Sequence, residues 1–340
     1  MQPDPEAESQ AETSPEEAPA DPSPQGGRGR SWMSRWLYAA KVDSWPKLLV
    51  PCLFGQALGV SAAGALDWSA LALGLGFTLF DLLFVVFLND WGDRRVDRIK
   101  RQMFPDGCSP KTIPDGILPA RALLIAGLIA GVGALGLAAL GQFAMARPSL
   151  LPAAAGLLLI FVAYTLPPVR LNYRGGGEWL ELVGVGVGLP LFHLYLQSGE
   201  LWTRELLMLP GFALLALCSA VASGMADEQS DRRGGKRTYV SEYGNRAARA
   251  LVERVMLFAA LLWAVSIRLA HVVPAPIGAL ALVVVLVNWR RLRKLSPQAT
   301  TNAFEAQRLY KHYLHQAQWR SAMILVVVIV GLTLLGWDGQ

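Results

Sequence analysis

Nine apolar stretches set the frame, at about 45–63, 68–90, 119–141, 149–167, 179–198, 205–225, 248–270, 272–289 and 320–337. Crossing a bilayer takes roughly 17 to 25 residues of helix. In hydrocarbon each backbone N–H and C=O needs a partner within the protein, so a chain made of such runs folds as helices. The expected fold is therefore all-α, a polytopic membrane protein with nine transmembrane helices. Composition agrees, with 53% hydrophobic and only 17% charged residues, against roughly 25% charged in a soluble domain. The runs at 248–270 and 272–289 are so closely spaced that they also read as one re-entrant pair. Gly127, Gly131, Gly133 and Gly136 in the third run predict close helix packing in lipid.

Lysine and arginine fix the expected orientation. All 31 except Arg147, Arg204 and Arg268 lie in the N-terminal segment up to Lys47, at the start of the first run, or around the loops after the second, fourth, sixth and eighth. Cytoplasmic loops carry the excess of basic residues, so the N-terminus and these four loops are expected to face the cytoplasm, in a cell (inner) membrane. The net charge of +5 belongs to this loop pattern and gives no reason to invoke nucleic acid. Residues 296–319 are too polar to span. Phe304, Tyr310, Tyr313, Leu314 and Ala317 against Arg308, Lys311 and His315 suggest an amphipathic helix on the membrane surface. His312 and His315 then read as interfacial, and His193 and His271 as packing or interface residues.

Residues 1–30 contain six prolines and seven acidic residues, with no aromatic or branched aliphatic side chain. They cannot bury enough apolar surface to offset ordering, and the charge and hydropathy pattern of a signal peptide is missing. They are read as a disordered tail, and 31–340 as the transmembrane domain. Cys52, Cys108 and Cys218 form no CxxC pair, which argues against a disulfide framework or a zinc site.

The chemistry concentrates in two polar stretches. The first is Asn89-Asp90-Trp91-Gly92-Asp93-Arg94-Arg95-Val96-Asp97. If the second helix continues through it, Asp90, Asp93 and Asp97 share one face. Three adjacent carboxylates repel one another and call for a cation, and a hard ion such as Mg2+ takes a few carboxylates plus substrate phosphates. The bland reading is a solvated acidic helix end. A second stretch, Asp227-Glu228-Gln229-Ser230-Asp231-Arg232-Arg233-Gly234-Gly235-Lys236-Arg237-Thr238, weighs against it. Asp227 and Asp231 lie one turn apart, and Arg232, Lys236 and Arg237 offer contacts to phosphate oxygens. Both stretches fall at expected cytoplasmic ends, so they can face one cavity. Acids beside bases at the mouth of an apolar bundle suit a substrate with a diphosphate head and a hydrocarbon tail. Transport is the competing reading, but it needs acids deep within spans, where Asp81 is the one clear candidate. A phosphatidyl-alcohol transferase is a third, and its Asp-Gly/Ala-Arg spacing is not met after Asp106-Gly107 or Asp115-Gly116.

The two motifs, Asn89-Asp90-x-x-Asp93-x-x-x-Asp97 and Asp227-x-x-x-Asp231-Arg232-x-x-Gly235-Lys236-x-Thr238, resemble the aspartate-rich motifs of the UbiA superfamily of intramembrane prenyltransferases, over about residues 40–337. The resemblance implies a helical bundle around a central cavity and Mg2+ held by Asn89, Asp90, Asp93, Asp97, Asp227 and Asp231, the five aspartates being the catalytic set. It further implies an isoprenyl diphosphate bound by Arg94, Lys111, Arg232, Lys236 and Arg237, and prenyl transfer to a lipophilic, quinone-type aromatic acceptor. Tyr164-Thr165-Leu166-Pro167-Pro168, then Tyr173-Arg174-Gly175-Gly176-Gly177-Glu178, is similar to 1,4-dihydroxy-2-naphthoate prenyltransferases. Tyr164, Tyr173 and Glu178 then line the acceptor side, or else anchor the loop at the interface. Acceptors of 4-hydroxybenzoate, homogentisate, haem, chlorin or lipid-alcohol type are the alternatives within the superfamily. The chain departs from the pattern at Gln229, where relatives are often acidic, and at Lys111-Thr112-Ile113-Pro114-Asp115-Gly116, where an Arg-Pro text is usual. Lysine keeps the charge there but loses the bidentate fork.

Overall fold

A computed structural model of the chain describes residues 27–106 and 109–337. Most of the expected tail and Cys108 lie outside the described residues. Gly27 is already tied down, its N–H donating to Gly116 O at 3.0 Å.

The described residues fold as helices. A short α1 (Trp32–Ala40) leads into α2 (Pro46–Ala63), α3 (Trp68–Met103), α4 (Ala120–Ala144) and α5 (Leu150–Thr165). Next come α6 (Gly177–Glu181), a π-helical stretch (Leu182–Gly188) and α7 (Leu189–Ser198), which run on as one rod. The last are α8 (Leu209–Ser223), α9 (Glu228–Arg233), α10 (Tyr239–Ala270), α11 (Ala275–Leu295) and α12 (Phe304–Leu334). The π turns sit just before Pro190, whose ring crowds the preceding turn of a regular helix.

Nine spans were expected. Among the described residues eight helices are long and apolar enough to cross a membrane, and the fourth run is the exception. α5 has 16 residues, about 24 Å at 1.5 Å per residue, because Leu166-Pro167-Pro168 ends it. The protein is thus a polytopic membrane protein with eight full-length candidate spans and one short apolar helix. The runs at 248–270 and 272–289 become two separate helices, α10 and α11. The surface helix expected over 296–319 is corrected as well. Residues 304–319 form the first half of α12, and Tyr310, Leu314 and Ala317 are completely buried. The apolar stripe is real, but it faces other helices rather than lipid headgroups.

Two apolar cores hold the bundle. One joins a face of α2 to α8, α10, α11 and α12, with Phe54 stacked on Phe212 at 4.9 Å. Trp263 closes it, fully buried, its indole N–H donating to Met208 O at 2.9 Å. The other joins α3, α4, α5 and α7 around Phe77 and Phe192, 4.3 Å apart. Three of the four glycines singled out on α4 pack as their spacing predicts, and Gly136 does not. A Cβ at Gly127, Gly131 or Gly133 would meet Leu88, Phe84 or Phe80 of α3 within 3 Å, while Gly136 has open space.

Candidate active site

α3 runs 36 residues without interruption, about 54 Å, so its last turns extend past the apolar run and carry the first acidic stretch. Helical periodicity places Asp90, Asp93, Asp97 and Lys100 along one side, and all four are at least nine-tenths buried. The second stretch is brought to them by small residues. A Cβ at Gly234 would stand 2.6 Å from Val96 Cγ2 of α3, so α9 packs directly on this helix. Gly235 has φ +71°, the left-handed region open to glycine at no steric cost, and it turns the chain back toward α3. Lys236 Nζ then lies 2.8 Å from Asp93 Oδ2, and Lys100 of α3 pairs with Asp227. Each stretch supplies a lysine to the other's carboxylate.

Two further segments close the site. Lys41, between α1 and α2, pairs with Asp90, whose second oxygen accepts from Thr112 Oγ1 at 2.6 Å. Lys111, in the loop after α3, pairs with Asp97. On the other side the loop after α5 lies against α3 at Gly92, where a Cβ would come within 2.8 Å of Thr165 Oγ1. Through that gap Arg170 Nη2 donates to Gly92 O at 2.8 Å, and the Tyr173 hydroxyl donates to Asp93 Oδ1 at 2.7 Å. The Arg170 guanidinium lies 3.6 Å from the centre of the Tyr173 ring. Thr165 Oγ1, Arg170 Nε and Asn172 Nδ2 are buried here without a hydrogen-bond partner among the described residues.

Four buried carboxylates and the half-buried Asp227 face four ammonium groups, and the balance shows in their proton affinities. Burial alone would raise Asp227, but Lys100 beside it, with Lys111 and Lys236 nearby, holds it well below the usual carboxylate range. Asp231 goes the other way. Burial pushes it up to about 8, Lys236 opposing while Asp227 and Asp93 add to the rise. The Lys111 and Lys236 ammoniums are held charged well above the usual range, because the carboxylates they face outweigh their burial.

The other predicted residues are placed differently. Asn89 is half-buried on α3 beside Asp90. Arg94 folds back on its own helix, donating to Trp91 O at 2.7 Å and stacking on that ring. Arg232 is half exposed and pairs with Glu228 at 3.1 Å, and Arg237 pairs with Glu242 at 2.7 Å on the surface. In one short turn only one side faces α3, and Asp231 takes it. Of the five basic residues assigned to a diphosphate, Lys111 and Lys236 lie among the carboxylates and the three arginines outside them. Tyr173 joins the carboxylates, Tyr164 stacks on Phe161 at 6.0 Å, and Glu178 accepts from Tyr239 N at 2.6 Å at the start of α10. Lys41, Lys100 and Thr112 were not anticipated. Lys100 has a signal, three residues beyond Asp97 on the same face. The contacts of Lys41 and Thr112 are tertiary and leave no trace in spacing.

The donor set fits a hard divalent cation. No three acidic, histidine or cysteine side chains converge on one point among the described residues, but Mg2+ is usually held by one or two carboxylates, with phosphate oxygens and water completing the shell. Four carboxylates already carry a cation in the form of a lysine ammonium. The fifth, Asp231, has its proton affinity raised to about 8, the mark of a buried carboxylate short of positive charge.

A helical membrane bundle with aspartate-rich segments drawn together at one end of a long helix defines a class of intramembrane protein, and the comparisons place it. The model of the UbiA prenyltransferase family matches residues 48–315, and the chain belongs to that family. Chlorophyll synthase of Oryza sativa subsp. japonica chloroplasts is 25% identical over 228 residues, 64% of this chain and 57% of the rice protein. The Arabidopsis thaliana chloroplast counterpart is 23% identical, so the chain spans little more than half the length of the curated relatives it matches. Among solved structures, a UbiA homolog from Archaeoglobus fulgidus bound to DMAPP and Mg2+ aligns with TM-score 0.60 at 17% identity, covering 84% of this chain and 99% of that one. The apo UbiA homolog from Aeropyrum pernix K1 aligns with TM-score 0.59 at 13% identity, covering 79% and 96%. At these identities the structures speak for the fold.

Proposed function

We propose that the protein transfers an isoprenyl group from an isoprenyl diphosphate to a lipophilic acceptor, with Mg2+, at the cytoplasmic face of the membrane. The observation that carries this reading is the reciprocal pairing of Lys236 with Asp93 and of Lys100 with Asp227, which assembles acid and base into one cluster next to an apolar bundle. Asp90, Asp93, Asp97, Asp227 and Asp231 would between them hold Mg2+, one or two carboxylates to an ion, with diphosphate oxygens and water completing the shell. Mg2+ bound there would supply Lewis-acid stabilisation of the diphosphate oxygens. Lys41, Lys100, Lys111 and Lys236, on flexible stems, turn from carboxylate to phosphate and neutralise the departing group. The bond from C1 of the prenyl chain to the diphosphate oxygen breaks, its electron pair leaves with diphosphate, and a nucleophilic atom of the acceptor bonds to C1. The bundle keeps water away from that carbon. Tyr173 orients Asp93 through its hydroxyl.

A chlorin-type acceptor is the preferred reading, because the curated relatives matched by the chain are chlorophyll synthases. A 1,4-dihydroxy-2-naphthoate-type ring is the second, favoured by the Tyr164-Thr165-Leu166-Pro167-Pro168 and Asp231-Arg232-x-x-Gly235-Lys236-Arg237-Thr238 text. Membranes containing the protein are to be incubated with Mg2+, isoprenyl diphosphates of graded length and both acceptors, and products identified by mass. A prenylated chlorin is the expected product. A prenylated naphthoate supports the second reading, and no Mg2+-dependent product from any acceptor overturns both.

A further inference from the structure

Arg170, in the loop after α5, stands beside the carboxylate cluster yet pairs with none of its acids among the described residues. Its Nη2 donates to Gly92 O at 2.8 Å, and its guanidinium covers the Tyr173 ring 3.6 Å from the centre. The residue has φ +46°, a left-handed conformation that side chains rarely adopt. Such a conformation persists only where the surroundings over-determine it, and it gathers at functional sites. Here Arg170 N donates to Leu166 O at 3.0 Å, and Arg170 O accepts from Tyr173 N at 2.9 Å. Arg170 and Tyr173 are thereby fixed on the two sides of one turn.

That turn grips two consecutive residues of α3. Arg170 holds the carbonyl of Gly92, and the Tyr173 hydroxyl donates to Asp93 Oδ1 at 2.7 Å. The second oxygen, Asp93 Oδ2, faces Lys236 Nζ at 2.8 Å. The two partners of Asp93 differ in freedom. The Tyr173 ring is pinned by the guanidinium, a planar cation that stacks on aromatic faces. Lys236 ends a flexible four-carbon stem, and its ammonium stands 5.7 Å from the centre of the same ring. When another cation comes to Asp93, Lys236 is free to leave and Tyr173 is not.

We infer that Arg170 is a positioning residue: through Tyr173 it keeps Asp93 Oδ1 engaged and so presents Oδ2 to Mg2+. The inference rests on the prenyl-transfer reading and adds an outer partner to its metal site. Arg170 itself contacts neither the metal nor the diphosphate. Groups that orient a metal ligand in this way typically cost roughly 10- to 100-fold in metal affinity when they are removed.

The test reads binding with no acceptor present, so that nothing turns over. Protein in lipid nanodiscs is titrated with geranylgeranyl S-thiolodiphosphate by calorimetry, without metal and at graded Mg2+. Arg170→Met is expected to raise the Mg2+ concentration at half effect by about tenfold and to keep metal-free affinity within about twofold of wild type. Tyr173→Phe, which keeps the ring and deletes only the hydroxyl, is expected to give the same shift. The double variant is expected to shift no further than either single one, as for two residues acting through one contact. Arg170→Lys is expected not to recover the loss, because a point charge does not replace the flat stack. An unchanged Mg2+ requirement in Tyr173→Phe overturns the inference even if Arg170→Met fails to fold. So does a double variant in which the two shifts add, or a loss of metal-free affinity in Arg170→Met that Arg170→Lys restores, the behaviour of a direct diphosphate contact. Wild-type protein that binds the analogue with no response to Mg2+ overturns the prenyl-transfer reading and this inference together.

Discussion

Lys236 Nζ lies 2.8 Å from Asp93 Oδ2, across 143 residues of chain, and the same aspartate accepts the Tyr173 hydroxyl on its other oxygen. Asp93 is thus where α3, the loop after α5 and the turn after α9 meet. Lys236→Met is expected to lower kcat/KM for the isoprenyl diphosphate by about 10²-fold, the scale of losing one positioned charge at a developing anion. Lys236→Arg is expected to recover part of it. Steady-state kinetics with the acceptor saturating give the comparison.

The arginines outside the cluster make a control. Arg232→Ala removes a half-exposed guanidinium from the buried Glu228, which keeps its hydrogen bond from Thr301 Oγ1 at 2.7 Å, and Arg237→Ala breaks a surface pair with Glu242; neither guanidinium reaches the carboxylate cluster. Both variants are expected to keep diphosphate KM within about twofold of wild type, a small change on the usual scale. A loss as large as that of Lys236→Met would show that these side chains swing inward on binding.

Metal removal is the plainest test of the five carboxylates. EDTA is expected to stop product formation and Mg2+ to restore it. Asp90→Ala, Asp93→Ala and Asp227→Ala are each expected to abolish transfer, with helical circular dichroism retained. Undiminished turnover of these variants would remove the carboxylates from the mechanism.

Asp231 gives a pH signature. Its carboxyl is raised to about 8 in the fold, against about 3.9 in an unfolded chain. Between those values the folded state binds more protons, so stability falls as pH rises. Metal-free protein in detergent is expected to lose thermal stability from about pH 5 to about pH 8, with Asp231→Asn flattening that slope. A wild-type melting temperature independent of pH over the interval, or an equal slope in the variant, would contradict the assignment.

Packing supplies a further prediction. Gly234→Val would drive a side chain into Val96, 2.6 Å from the new Cβ, and into Ser230 O at 3.1 Å, prising α9 from α3. A large loss of transfer is expected with most of the helix content kept. Gly136→Val enters open space and is expected to be silent in activity assays.

Much of this architecture was legible in the chain. Runs of apolar residues mark helices because lipid leaves the backbone no other solution, and the glycine spacing of α4 marked the face that meets α3. The errors came where length or neighbours decide. α5 is cut short by Leu166-Pro167-Pro168, and the stripe of Tyr310, Leu314 and Ala317 reads equally well as facing headgroups or other helices. In the site, aspartates at i, i+3 and i+7 were visible because a helix turns spacing into a face. The lysines that answer them come from four separate segments, and only Lys100 shares that periodicity.

The lysine-capped carboxylates carry one more consequence. With five acids answered by four ammoniums, the cluster is close to electrical parity before anything binds. A bare divalent ion would have to evict a lysine whose charge then has nowhere to go. A cation arriving together with a diphosphate gives each displaced lysine a new oxygen to hold. The arrangement therefore favours loading metal and substrate as one package, and it releases them the same way.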